Sequence, residues 1–557
     1  MRIVTEPRMS KGRPTAGPFQ PRTIACAASR PSGGAWQRWF ACALALGLVA
    51  GRLSARAEEV LTWEIDLERR HQTIEGFGAS DAWSAQFVGR WPDALRERVA
   101  ELLFSRDWDA QGRPRGIGLS IWRFNVGAGS AEQGAESGIR DPWRRAECFQ
   151  KADGTWDWSK QAGQQWFLEA ARRHGVETFV AFVNSPPVHQ TRNGRAWGDG
   201  GHRSNLNPDR YEAFAAFLAE VCAHFARTGR PFQYLSPVNE PQWNWSRRNG
   251  QEGCPWTNEE LRRLVPVLDA AVRARAPEVR IVLPETATLD HLLRPMQGEP
   301  LASDQLRELY GNRPDAVHRL ARVAPVVAAH GYGTTERRQH WLGVRRELGR
   351  RLRQEHPGLR FWMSEYCILG QNHEGRLRGS GRDLGMAPAL FVAQVIHHDL
   401  TLAEATSWQW WLAISPYDYK DGLVYVGREP APEAVRESKL LWGFGHYARF
   451  VRPGSVRVDV RATGNVPNPE TDGDAPLLSA YLQPQTGAVV VVGVNPSDRE
   501  RKLTLRLADG TAAEFRTYLT TEVEGENLMP GRPLRTGEAW PWPARSVVTW
   551  VMAKKDV

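Results

Sequence analysis

Glycine-rich phosphate loops are missing from the 557 residues: neither a GxGxxG run nor a Walker motif occurs. That removes the usual mark of a nucleotide-binding open sheet. Cysteine is scarce, with 6 in the chain and only Cys148, Cys222, Cys254 and Cys367 after residue 57. No CxxC pair and no His-rich spacing suggests a metal site, and nothing calls for a cofactor. Excess charge is missing too, once its location is considered. Residues 1–57 hold nine Lys/Arg and one acid, which is +8 of the net +9 and leaves +1 for the other 500 residues. A near-neutral body carries no charge argument for nucleic acid or an anionic membrane. No apolar run beyond residue 57 reaches transmembrane length, and there is no internal repeat.

The first 57 residues read as a leader. An apolar run, 39–50, follows Arg38, and Ala55-Arg56-Ala57 fits a small-x-small cleavage site. Cleavage after Ala57 would deliver a secreted or periplasmic monomer with no stable membrane insertion. Export permits disulfides. Cys148 and Cys254, both in expected loops, form the candidate pair, whereas Cys222 on an apolar helix face and Cys367 after a strand read as buried thiols.

What is abundant is tryptophan, 24 residues, some in clusters such as Trp408-Gln409-Trp410-Trp411 and Trp243-Asn244-Trp245. Most must be core. A few beside turns suit a cleft in which indole rings stack on sugar faces. From residue 73, buried strand-like runs alternate with amphipathic helices. The strand-like runs lie near 76–80, 116–125, 178–184, 233–241, 280–286, 325–332, 360–369 and 406–414. Helices are expected at 94–104, 164–174, 208–227 with Asn207 as N-cap, 257–275 behind a Thr257/Glu260 capping box, 335–354, 387–403 and 437–450. Eight β/α units over about 375 residues predict an α/β fold of the TIM type, a (β/α)8 barrel spanning 73–451. After 452 the pattern alternates with period two, which predicts an antiparallel β-sandwich over 452–557. The alternating strand within 58–72 has no helix after it and is expected to join that sandwich, making the second domain discontinuous.

Two strand-like runs end in glutamate: Val238-Asn239-Glu240-Pro241 and Ser364-Glu365-Tyr366. They would be strands 4 and 7, which face each other across the C-terminal end of a barrel. Two carboxyls converging there are what glycoside hydrolysis requires, at roughly 5–5.5 Å for retention of configuration. Glu365 is then the nucleophile and Glu240 the acid/base. Arg123, ending strand 2, is placed to favour the charged form of Glu365, and Tyr332 to donate to it, with His330 nearby. Asn239 is placed to bond a sugar 2-hydroxyl. Ser80, Asp81, Asn125, Asn184 and Trp410 complete the expected substrate contacts. Glu285 also ends a strand, and after Pro284 it reads as a loop anchor or substrate contact.

Together, Gly76-Phe-Gly78-Ala-Ser80, Asn184-Ser-Pro-Pro187, Val238–Pro241, His330-Gly-Tyr332, Ser364–Tyr366 and Trp408–Trp411 resemble glycoside hydrolase family 30 of clan A. The resemblance runs from about residue 60 to the C-terminus. It implies a retaining mechanism, a barrel with a side β-sandwich, and the same roles for Glu240 and Glu365. Asn184–Pro187 and Trp410–Gly422 most resemble the endo-β-1,6-galactanase group, although Val188-His189-Gln190 departs from the aromatic and Met expected there. Other members act on β-1,6-glucan, glucuronoxylan or glucosylceramide. A catalytically inactive carbohydrate-binding barrel is the reading from a different class.

Overall fold

The structure, a computed structural model, describes residues 60–552; the leader and its cleavage site lie outside them. The first described strand, β1 (Val60–Thr73), leads into eight barrel strands: β2 (Gly76–Ser80), β3 (Ile121–Asn125), β4 (Thr178–Phe182), β5 (Tyr234–Ser236), β6 (Arg280–Thr286), β7 (Val323–His330), β8 (Arg360–Tyr366) and β9 (Ala405–Ser415). Each pairs in parallel with the next. β9 pairs with both β8 and β2, so the sheet closes on itself and no edge is left. Inside the barrel Ile121, Val180, Val282, Val326, Ala328 and Trp362 form a compact plug. The opposite faces of the strands merge with the surrounding helices in the main core.

Closure and strand number follow the sequence pattern, but several boundaries differ from it by a few residues, as where the strand expected from 116 begins at Ile121. The fourth barrel strand is only three residues long because Pro237 has no N–H to donate, so the ladder stops at Ser236. Residues 237–240 therefore leave the sheet, and Glu240 adopts a left-handed φ of 42°. The helix expected at 208–227 starts at Tyr211, with Arg210 rather than Asn207 at its cap. Asn207 instead opens a separate turn, its carbonyl accepting from Arg210 N at 2.9 Å. The Thr257/Glu260 capping box forms as expected, satisfying N–H groups at both its ends.

The C-terminal strands make one nine-stranded sheet in which β1 lies inside, antiparallel to Val456–Ala462 and parallel to Arg501–Leu507. The sheet is thus mostly antiparallel rather than wholly so. It folds over a second core containing Trp63, Trp542 and Trp550. Gly493 sits where any Cβ would meet Trp550 and Trp542 within 2.8 Å, which shows how closely the two inner faces approach. The helix Met386–Thr401 is buried along almost all its length because barrel and sheet flank it. Its Asp399 pairs with Arg345 of the helix Arg338–Glu355 at 2.5 Å and accepts from Trp408 Nε1 at 2.7 Å, with both ionic side chains fully buried. The four cysteines in this region are separate buried thiols, so the expected Cys148–Cys254 pair does not form. Cys254 Sγ instead accepts from Asn205 N, and Cys148 packs into the main core.

Removing one partner of a buried ion pair strands the other charge. Arg345→Ala is therefore expected to cost roughly 3–5 kcal/mol in urea unfolding. A loss under about 1 kcal/mol would show that Asp399 finds another partner.

Candidate active site

The open C-terminal end of the barrel collects polar side chains from consecutive strands. β3 supplies Arg123 and Asn125, the segment after β5 supplies Asn239 and Glu240, and β6 supplies Glu285 one residue before its end. β7 supplies His330, with Tyr332 two residues beyond it, and β8 carries Ser364 and Glu365. Two residues separated by 125 positions meet here because the parallel ladders hold strand ends level.

Glu365 is 3% exposed. Arg123 Nη1 donates to its Oε2 at 3.0 Å and Tyr332 Oη to its Oε1 at 3.0 Å. The Arg123 guanidinium also stacks over Phe182 at 4.3 Å, which holds its plane. Glu240 lies opposite, and its Oε1 is 3.0 Å from His330 Nδ1. Ligand-type atoms of Glu240, His330 and Glu365 all fall within 4.8 Å of one another, so a carboxyl oxygen of each glutamate is that close to the other. Such spacing belongs with the retaining geometry and is too short for the inverting one, roughly 6.5–9.5 Å.

His330 is wholly buried. Its Nδ1 faces Glu240 at 3.0 Å and Glu365 at 3.5 Å, and its Nε2 faces Glu285 at 3.2 Å. Burial alone would lower the imidazole pKa, but Glu365, Glu240 and Glu285 together push it up to about 10. Both ring nitrogens then carry protons. The His330–carboxylate cluster has the atom types of a metal site, but a protonated imidazole offers no lone pair to a metal. Burial raises Glu240 above the ordinary carboxyl range, with repulsion from Glu365 adding to it and the His330 hydrogen bond opposing it. Two carboxyls in one site are thereby given different environments.

Glu285 does anchor a turn, as expected, and it also braces His330. It lies one residue before the end of β6, is 1% exposed, and accepts hydrogen bonds from Ser236 Oγ and Ser364 Oγ as well as His330. Burial acts to raise it, but the bond from His330 and the nearby Arg123 charge hold it below the usual range. Its carbonyl also accepts from Glu240 N at 3.0 Å, fixing the turn that carries Glu240. The sequence signal was a polar residue at a strand end, and Ser364 was hidden inside the Ser-Glu-Tyr motif.

The remaining expected contacts divide. Asn125 and Asn184 are buried with both side-chain polar atoms unpartnered among the described residues, as is Asn239 Oδ1. Those are the donors and acceptors a polar ligand would meet. Asp81 and Ser80 also bond the protein itself, and Asp81 Oδ2 is buried and unpartnered among the described residues. Asp81 Oδ1 accepts from Asn125 N and Gln164 Nε2, and burial raises the Asp81 carboxyl to about 8. Ser80 Oγ accepts from Ala82 N. Trp410 is a correction: alternation along β9 turns it outward, where it is fully buried, packs near Tyr366 and donates to Asp421 O. Its neighbour Trp411 packs edge-to-face on Trp83 and near Phe182, at the cleft.

Comparison with known proteins places this geometry. The family model described as O-Glycosyl hydrolase family 30 matches residues 60–425. An endo-β-1,6-galactanase of Hypocrea rufa is 28% identical over 388 residues, covering 67% of this chain and 70% of that protein. A glucuronoxylanase XynC of Bacillus subtilis is 24% identical over 402 residues, covering 70% and 78%. The crystal structure of a conserved exported protein from Bacteroides fragilis superposes with a TM-score of 0.80 at 31% identity, covering 88% of this chain and all of that one.

NMR of the His330 ring nitrogens tests the electrostatics. A protonated ring is expected at pH 8, and Glu285→Gln should lower its titration midpoint. A neutral His330 at pH 8 would overturn this description of the site.

Proposed function

The chain belongs to O-glycosyl hydrolase family 30 and is a retaining glycosidase, and from that premise we propose an exported endo-β-1,6-galactanase in which Glu365 is the nucleophile and Glu240 the acid/base. The observation that supports these roles is the pair itself: two buried carboxyls within 4.8 Å, one bonded by Arg123 and Tyr332, the other raised by burial.

The reaction then runs in two displacements. A Glu365 oxygen attacks the anomeric carbon while Glu240 gives its proton to the departing glycosidic oxygen. A covalent glycosyl–Glu365 ester forms and the aglycone leaves. As negative charge leaves Glu365, the repulsion that helped raise Glu240 falls, and Glu240 is left as a carboxylate beside His330. It takes a proton from water, the hydroxyl attacks the anomeric carbon from the face opposite Glu365, and Glu365 departs as a carboxylate. Arg123 and Tyr332 hold the Glu365 oxygens in line for both steps. Asn239, Asn125 and Asn184 offer hydrogen bonds to sugar hydroxyls, and the Trp411–Trp83 wall offers a stacking face.

The galactan assignment is supported by the Hypocrea rufa relative and by the Asn184–Pro187 and Trp410–Gly422 motifs. Export is supported by the leader pattern in residues 1–57; no helix among the described residues is long and apolar enough to cross a membrane.

Glu365→Gln is expected to abolish turnover while leaving the circular dichroism spectrum unchanged; near-normal activity would sink the assignment. Glu240→Gln should lose about 10²–10⁴-fold on an unactivated glycan but far less on a dinitrophenyl β-glycoside, whose leaving group needs no proton. A screen on β-1,6-galactan, β-1,6-glucan and glucuronoxylan should show galactan cleaved fastest, and NMR should show a first-formed β-anomer.

A further inference from the structure

The loop that follows Glu240 carries a buried carboxyl that the reaction does not use. Glu252 has no solvent exposure. Its Oε2 accepts from Ala128 N at 3.0 Å, and its Oε1 accepts from Ser130 N at 3.2 Å and Ser130 Oγ at 2.6 Å. Ala128 and Ser130 belong to the loop after β3, and Ser130 Oγ accepts in turn from Ala146 N at 3.0 Å, farther along that loop. One carboxyl therefore ties the loop after β5 to the loop after β3. It makes no ion pair among the described residues. Burial raises it to about 7 against the bonds from Ser130 and Ala128, and the Glu132 carboxylate adds to the rise. A buried carboxyl without a counter-ion costs stability, and such costs concentrate at functional sites.

What this carboxyl holds is the approach to the acid/base turn. Gly253, next in the chain, donates to Ala196 O at 2.8 Å and lies against the Trp245 ring, where a Cβ would come within 2.4 Å. Trp245 is 5% exposed, and its Nε1 donates to the Glu240 carbonyl at 3.0 Å. Trp256 N donates to the Pro241 carbonyl at 3.0 Å, closing the far end of the loop on the same turn. Arg247, Arg248 and Asn249, between these ties, are exposed. The loop is anchored to its neighbours through residues 252–254, and Glu252 accepts three of those bonds. Glu240 itself stands off the sheet in a left-handed conformation, so no strand ladder fixes its carboxyl. Displacing such a group by about 1 Å can cost on the order of a hundredfold in rate.

We propose that Glu252 is a positioning residue for the acid/base: by joining the loops after β3 and β5 it presses Gly253 on Trp245, and so sets where Glu240 meets the departing glycosidic oxygen. The proposal rests on the reading of Glu240 as the acid/base. The carboxylate form suits this role, because all three of its partners are N–H or O–H donors. An amide there keeps one acceptor oxygen and turns an NH₂ group toward donors, so Glu252→Gln loosens the clasp with little change in volume.

Two measurements decide it. The first is kcat/KM on aryl β-1,6-galactobiosides, with leaving groups from dinitrophenol to phenol, for native enzyme, Glu252→Gln and Ser130→Ala. Glu252→Gln should lose roughly tenfold to hundredfold on the phenyl substrate, and less than about threefold on the dinitrophenyl one, whose leaving group needs no proton. Ser130→Ala removes one of the three bonds and should show the same pattern with smaller losses. Equal losses on both substrates would make Glu252 a structural residue and overturn the proposal. Glu240→Gln is the reference. If it lacks the leaving-group dependence, the acid/base assignment fails; if it shows the dependence and Glu252→Gln does not, only the positioning role fails. The second measurement needs no substrate, and follows hydrogen exchange of the indole N–H groups by NMR. In Glu252→Gln the Trp245 Nε1–H should exchange at least about tenfold faster, while those of Trp408 and Trp410, bonded to Asp399 and the Asp421 carbonyl, keep their native rates. An unchanged Trp245 rate, or equal acceleration of all three, rejects the clasp. If no galactobioside is cleaved, the galactan assignment fails and the exchange rates still decide the role of Glu252.

Discussion

One buried imidazole holds the site together. His330 has no solvent exposure and reaches three carboxylates, on Glu240, Glu285 and Glu365, from its two ring nitrogens. None of these negative groups could be buried so close to the others without a positive charge among them. With Arg123 on the far side of Glu365, the cluster holds two cations against three acids, one of which is raised toward its neutral form by burial. That balance is what allows one carboxyl to bear a charge while its neighbour keeps a proton. A deficit of positive charge would drive both toward protonation, and an excess would ionise both.

The barrel exists, in functional terms, to hold that cluster still. His330 is the register partner of Glu365 on the adjacent strand, so its ring is fixed by a backbone ladder rather than by a flexible loop. Glu285 braces it from β6 and is itself held by the Ser364 hydroxyl of β8. Only Glu240 sits off the sheet, and there the strain of a left-handed residue is offset by three ties. Glu240 N donates to the Glu285 carbonyl, Trp245 Nε1 donates to the Glu240 carbonyl, and His330 bonds its carboxyl. The aromatic wall then extends the site outward, from Phe182 and Trp411 to Trp83. The same open end thus joins chemistry on the strands to recognition on the loops.

Much of this was legible in the residues alone. Alternation of buried strands and amphipathic helices gives the barrel, because each pattern reports locally which faces are apolar. Polar residues at strand ends gave Arg123, Glu240, His330, Tyr332 and Glu365, because a strand interior has no use for them. The readings that failed depended on direction or partners. Trp410 looked like a stacking platform, but β9 turns it away from the cleft and offers Trp411. Cys148 and Cys254 lie apart as thiols.

The linear order of residues determined the strand count, the βα alternation, the two glutamates and the separate C-terminal sheet, since hydrophobic period and turn residues act over a few positions. Tertiary structure alone decided that Glu285 belongs with His330, that β1 runs parallel to one strand of the sheet it joins, and that Glu252 ties the loop after β5 to the loop after β3. Those facts depend on distances between segments tens to hundreds of residues apart. Barrel closure sets such distances, and no local pattern encodes them.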